Sequence, residues 1–107
     1  MQLTTTFRGL NRSDSAFATS SLERNTSRLD RLLEHPVPLR AVVEAGPPEY
    51  AITLSMSVDG EDLVAQSSGH DLAVAIATAC ERLRNQLIRM RRRRQTNRLR
   101  TASPAST

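Results

Sequence analysis

No lysine and no tryptophan occur anywhere in the 107-residue chain, and all fifteen formal positive charges are arginines. Two phenylalanines and one tyrosine are the only aromatic residues, so any core must rest on aliphatic packing. The single cysteine, Cys80, excludes an internal disulfide framework and a cysteine-based zinc site, and it fits a reducing compartment. No apolar run approaches the roughly 20 residues of a membrane span. The opening residues 1–10 show neither the basic start nor the apolar stretch of a secretory signal. The expectation is a soluble, cytoplasmic chain with room for one domain. A domain of this size buries only roughly 60–65% of its unfolded surface, too little to enclose a large cofactor cavity.

What is abundant is arginine, and its placement is uneven. From Arg82 to Arg100 there are nine arginines and no acid, whereas the rest of the chain carries six arginines against eleven acids. The net charge of +4 is therefore a +9 segment attached to a −5 body. Guanidinium groups hold phosphate oxygens bidentately and stack on bases, so a dense all-arginine segment points to a polyanion partner. The bland alternative is a solvated, frayed helix end. Like charges at i,i+4 repel by a few tenths of a kcal/mol, a local cost that solubility alone does not require.

Residues 2–7 alternate, with Leu3, Thr5 and Phe7 on one side and Gln2, Thr4 and Thr6 on the other, as in a half-buried strand. Gly9–Asn11 breaks the pattern, and Ser13 or Asp14 is the expected N-cap of a helix. That helix should run to Leu33 on a thin stripe of Ala18, Leu22, Thr26, Leu29 and Leu33, ended by the prolines at 36 and 38. Leu39, Ala41 and Val43 form a second strand. Tyr50, Ile52, Leu54, Met56 and Val58 give a third, with an unbroken period of two. Asp59-Gly60 is a favoured pair for a tight hairpin turn, and residues 62–67 return as the fourth strand. Asp71 then opens a long helix with the stripe Leu72, Ala75, Ile76, Ala79, Leu83, Leu87 and Met90. The fold class expected is α+β, a two-layer sandwich in the order β-α-β-β-β-α, with a four-stranded sheet and both helices packed on one face. The domain should span 1–94, followed by a disordered tail over 95–107.

No serine–histidine–aspartate or cysteine–histidine set, glycine-rich phosphate loop or carboxylate pair in a cleft is visible, so no catalytic residue is expected. His35 reads as a turn residue and His70 as a helix-cap residue, with no metal-ligand spacing between them. Cys80 reads as a small buried hydrophobe, Met56 and Met90 as core fillers, and Tyr50 as a core position.

Several segments resemble the ribosome hibernation-promoting factors, also called ribosome-associated inhibitors and, in older usage, sigma-54 modulation protein. They are Met1-Gln2-Leu3-Thr4, Arg28-Leu29-Asp30-Arg31, the Asp59-Gly60 hairpin and His70-Asp71-Leu72-Ala73-Val74-Ala75-Ile76. The last is similar to that family's Asp-Asp-Leu-Tyr-Ala-Ala-Ile signature. Downstream, Arg82-Leu83, Gln86-Leu87, Arg89, Arg91 and Arg93 follow its basic pattern. The chain departs from the pattern at Asn25, His70 and Ala73. The resemblance covers roughly residues 1–94 and implies a short form without a second, ribosome-pairing domain.

It also implies a translation silencer that occupies the decoding region of the small ribosomal subunit, the path of tRNA and mRNA. The partners implied are the small subunit and its rRNA, with no membrane, small-molecule substrate, metal or cofactor, and the protein is expected to be a monomer off the ribosome. The rRNA-binding residues expected are Arg82, Arg89, Arg91, Arg92, Arg93, Arg94, Arg28 and Arg31. The alternative is a DNA- or RNA-binding regulator, a diverged paralogue on the same fold.

Overall fold

Alternation of β-branched and polar residues sets the sheet. In the computed structural model, which describes residues 2–46 and 48–102, the strands are β1 (Gln2–Arg8), β2 (Pro38–Gly46), β3 (Glu49–Val58) and β4 (Glu61–Gly69). Their spatial order is β1-β2-β3-β4. β1 pairs parallel to β2, with Leu3 opposite Leu39, while β2–β3 and β3–β4 are antiparallel. The parallel pair requires a crossover, and helix α1 (Arg12–Thr26) supplies it. The second helix, α2, runs from Leu72 to Ala102. This is the β-α-β-β-β-α sandwich the sequence implies.

One face of β2, β3 and β4 is buried under the helices, and the matching face of β1 is half-buried. Leu39, Ala41 and Val43 of β2 join Ile52, Leu54, Met56 and Val58 of β3 and Leu63 and Ala65 of β4. Against them α2 sets Leu72, Ala75, Ile76, Ala79, Leu83, Leu87 and Met90, all buried. Two tight connections need unusual backbone. Asp59 and Gly60 take φ of 51° and 83°, the primed turn that matches the twist of a hairpin. Gly9 has φ +75°, and a Cβ there would lie 2.8 Å from the carbonyl oxygen of Ala45, so the chain turns off β1 where only glycine fits.

The first helix differs from expectation at both ends. Its N-cap is Asn11, two residues before Ser13 and three before Asp14, with Asn11 Oδ1 accepting from Asp14 N at 2.7 Å. Asp14 instead sits in the first turn, where its charge suits the helix dipole and its Oδ2 accepts from Tyr50 Oη at 3.2 Å. Tyr50 is thus half-buried against the core, with its hydroxyl at the rim; the Asp14 charge above all, then burial and this hydrogen bond, raises its pKa. At the other end α1 stops at Thr26, and Ser27–Leu32 forms a 3-10 helix. The cause is local. Asn25 Nδ2 donates to Ser21 O at 2.7 Å, Thr26 Oγ1 to Leu22 O at 2.6 Å and Ser27 Oγ to Arg24 O at 2.8 Å. Such side-chain bonds to the preceding turn compete with the regular ladder.

The second helix departs in length. It continues to Ala102, past the expected boundary at 94, because residues 95–102 contain no helix breaker and the next proline is Pro104. The remainder of the expected tail, 103–107, lies outside the described residues. Its cap is Asp71, whose Oδ1 accepts from Val74 N at 3.2 Å. His70 is not the cap: its Nδ1 lies 3.0 Å from Pro48 O, across the β2–β3 turn.

Candidate nucleic-acid interface

The arginines of α2 follow the helical period and therefore divide among its sides. Arg82, Arg89 and Arg93 fall on the flank toward β4, together with Gln86. Arg82 Nη1 donates to Gln66 O at 2.5 Å and Gln86 Nε2 to Val64 O at 2.7 Å. These two side chains reach across the edge of β4 and take successive outward carbonyls, a common protection of an edge strand. Arg82, expected on rRNA grounds, is thus held by the sheet.

Arg94 falls in phase with Leu83, Leu87 and Met90, but by that point the helix has passed the sheet and lies over the β3–β4 hairpin. There it pairs with Asp59 Oδ2 and lies 3.9 Å from Glu61 Oε2, while its Nη2 donates to Val58 O at 3.3 Å. Arg93 donates to Glu61 Oε1 at 2.8 Å, yet its side chain remains 64% exposed. An exposed pair of this kind contributes only about 0–1 kcal/mol, so a phosphate can replace it. His35 joins the hairpin from the other side, its Nε2 lying 3.8 Å from Asp59 Oδ1.

Arg89, Arg91 and Arg92 are exposed and have no side-chain partner among the described residues. The same holds for Arg28, Arg31 and Arg84, which line one groove of about 590 Å³ between the first helical segment and α2. The 3-10 geometry matters here: with three residues per turn, side chains at i and i+3 eclipse, so Arg28 and Arg31 form one row. Arg84 faces them from α2 across a floor that includes Leu29, Leu32 and Cys80. Burial pushes the Cys80 pKa up to about 11, which keeps the thiol protonated and inert. The arrangement is two sets of guanidinium groups directed outward, suited to phosphate oxygens spaced along a backbone. Among the described residues no cluster of histidine, cysteine and acids is placed to hold a metal ion, and no helix is long and apolar enough to cross a membrane.

Sequence reasoning left out Arg84, which lies inside the acid-free Arg82–Arg100 segment but apart from the cluster at 89–94, although its helical phase points toward the first helix. It missed the tethering of Arg82 and Arg94 because the partners are backbone carbonyls and hairpin acids far away in sequence.

A family model described as sigma 54 modulation protein / S30EA ribosomal protein matches residues 5–95. The chain belongs to this family. Its S30EA fold is shared with two solved structures. The N-terminal domain of Thermus thermophilus Protein Y is 21% identical, with a TM-score of 0.73, over 84% of this chain and 99% of that one. A ribosomal subunit interface protein from Coxiella burnetii is 13% identical, with a TM-score of 0.62, over 85% of this chain and 98% of that one. A comparison with curated protein sequences gives no match.

Proposed function

We propose that this S30EA family member binds the small ribosomal subunit through rRNA and silences idle ribosomes by occupying the decoding region, where tRNA and mRNA pass. The observation that carries this reading is the set of partnerless arginines, Arg28, Arg31 and Arg84 around the groove and Arg89, Arg91 and Arg92 beyond it. Membership of the family supports it, as does the likeness to a protein described as a ribosomal subunit interface protein. Action is by occupancy, without a reaction, a cofactor or a small-molecule substrate, in the cytoplasm and as a monomer off the ribosome. Arg93 is a contact that RNA gains by displacing Glu61. Arg82 and Arg94 serve mainly to hold α2 in place. Contacts to backbone and sugar should dominate, since structured RNA is read chiefly by shape and 2′-hydroxyls.

The test is co-sedimentation with purified small subunits over a range of salt. Replacing Arg89, Arg91 and Arg92 together by Ala should weaken binding and flatten the log–log salt slope by roughly two to three units, at about 0.7–0.9 per phosphate. Inhibition of translation in a purified system should fall in parallel. An unchanged slope makes these arginines a solvated helix end. Binding to duplex DNA without co-sedimentation would favour a DNA-binding regulator.

A further inference from the structure

We infer that the open face of the sheet is a second RNA-backbone surface, centred on Arg40 and continuous with the α2 arginines around the β4 edge. This rests on the RNA-binding reading above and extends it to the opposite side of the molecule. The pairing register puts Thr4, Arg40, Ser55 and Val64 in one row across all four strands, and Thr6, Val42, Thr53 and Gln66 in the next. The helices cover the other face, so these side chains point away from the core. Arg40 has no acid in its row and no side-chain partner among the described residues. Nor do the hydroxyls of Thr4, Thr6, Thr53, Ser55 and Ser57. The contrast with the first helical segment is direct, because Thr19 and Thr26 of α1 and Ser27 at the start of the 3-10 helix all donate to backbone carbonyls.

A guanidinium among hydroxyl donors is the donor set that nucleic-acid backbones engage through phosphate and sugar oxygens. The row borders a depression of about 520 Å³ lined by Thr4, Arg40, Ser55, Ser57, Asp62 and Val64. Leu63 lines both this depression and the patch that holds Arg89, Arg92 and Arg93. A single RNA strand therefore has a path from the α2 arginines, over β4, to Arg40. Val64, 49% exposed, supplies an apolar contact on the way. Asp62 is the one carboxylate lining the depression. No aromatic residue lines it, so bases are not stacked there and the contact is to the backbone.

The experiment measures wild type, R40Q and D62N on purified small ribosomal subunits and on a mixed-sequence single-stranded RNA of about 20 nucleotides. Arg40 is exposed, and unchanged thermal unfolding of R40Q confirms an intact fold. Loss of one phosphate contact should weaken binding to both probes about four- to fivefold at 0.15 M salt and reduce the salt slope by just under one unit. D62N should tighten it. Wild-type affinity and slope for R40Q on both probes overturn the inference while leaving the helix-side reading standing. Weakening on subunits alone also overturns it, because Arg40 then meets a ribosomal protein. Failure of wild type itself to bind either probe removes the RNA-binding reading and this inference together.

Discussion

The two helices lie on the same face of the same sheet, and different devices hold them there. α2 presents Leu72, Ile76, Leu83, Leu87 and Met90 in an unbroken helical phase, each contributing about 1.5–3 kcal/mol when fully buried. α1 contributes Ala18 and Leu22, and beside them it buries Ser21 and Thr26. It then gives way to a 3-10 helix, which delivers Leu29 to the core. A strong stripe keeps its helix regular for as long as the sheet lies beneath it. A weak one leaves the backbone open to the pull of its own hydroxyls and amides. The irregular segment is also the one that lines up Arg28 and Arg31.

The sharpest break of this comparison is at the centre of α2. Leu83→Ala should cost about 2–5 kcal/mol in urea denaturation, by leaving a cavity between helix and sheet. A loss below about 0.5 kcal/mol would mean that α2 does not carry the packing assigned to it. Next comes the cap on which the thinner helix depends. Asn11→Ala should cost about 1 kcal/mol and speed amide exchange at Asp14, whose N–H loses its acceptor. Unchanged exchange there would show that the start of α1 is held from elsewhere.

The smallest effect concerns the seam between the two helices. The Cys80 pKa is raised from 9.0 to about 11 by burial, so its contribution to stability is fully present below about 9 and is lost as pH rises through about 11. At neutral pH the native thiol should react with a disulfide reagent far more slowly than the urea-unfolded chain. Equal rates would show that the groove between the helices opens readily.

Much of this architecture was legible because its signals are periodic and local. The alternation from Tyr50 to Val58, the Asp59-Gly60 turn and the stripe from Leu72 to Met90 each specify an element without reference to the rest of the chain. The misread places are those where a competing partner decides. Asn11, Ser13 and Asp14 are all good caps, and the choice fell to the residue that lets Asp14 meet Tyr50 from β3. Composition alone placed a boundary at 95, but eight more residues free of proline and glycine let the helix continue. Within the candidate interface, charge density marks α2 as a whole and does not separate its sides. Arg94 lies on the apolar phase and so falls to the hairpin acids, while Arg84 stands apart from the cluster at 89–94 and Arg40 lies outside the arginine-rich segment altogether.

The covering of β4 also bears on how copies of the molecule can meet. A sheet polymerises only when it has two usable edges, one to join each neighbour. Here Arg82 and Gln86 already occupy carbonyls on one edge, so only β1 is left to accept a strand. Two molecules that met edge to edge through β1 would present only guarded β4 edges to a third. With β4 guarded in this way, strand-to-strand association through β1 stops at two copies and does not run on into a fibre.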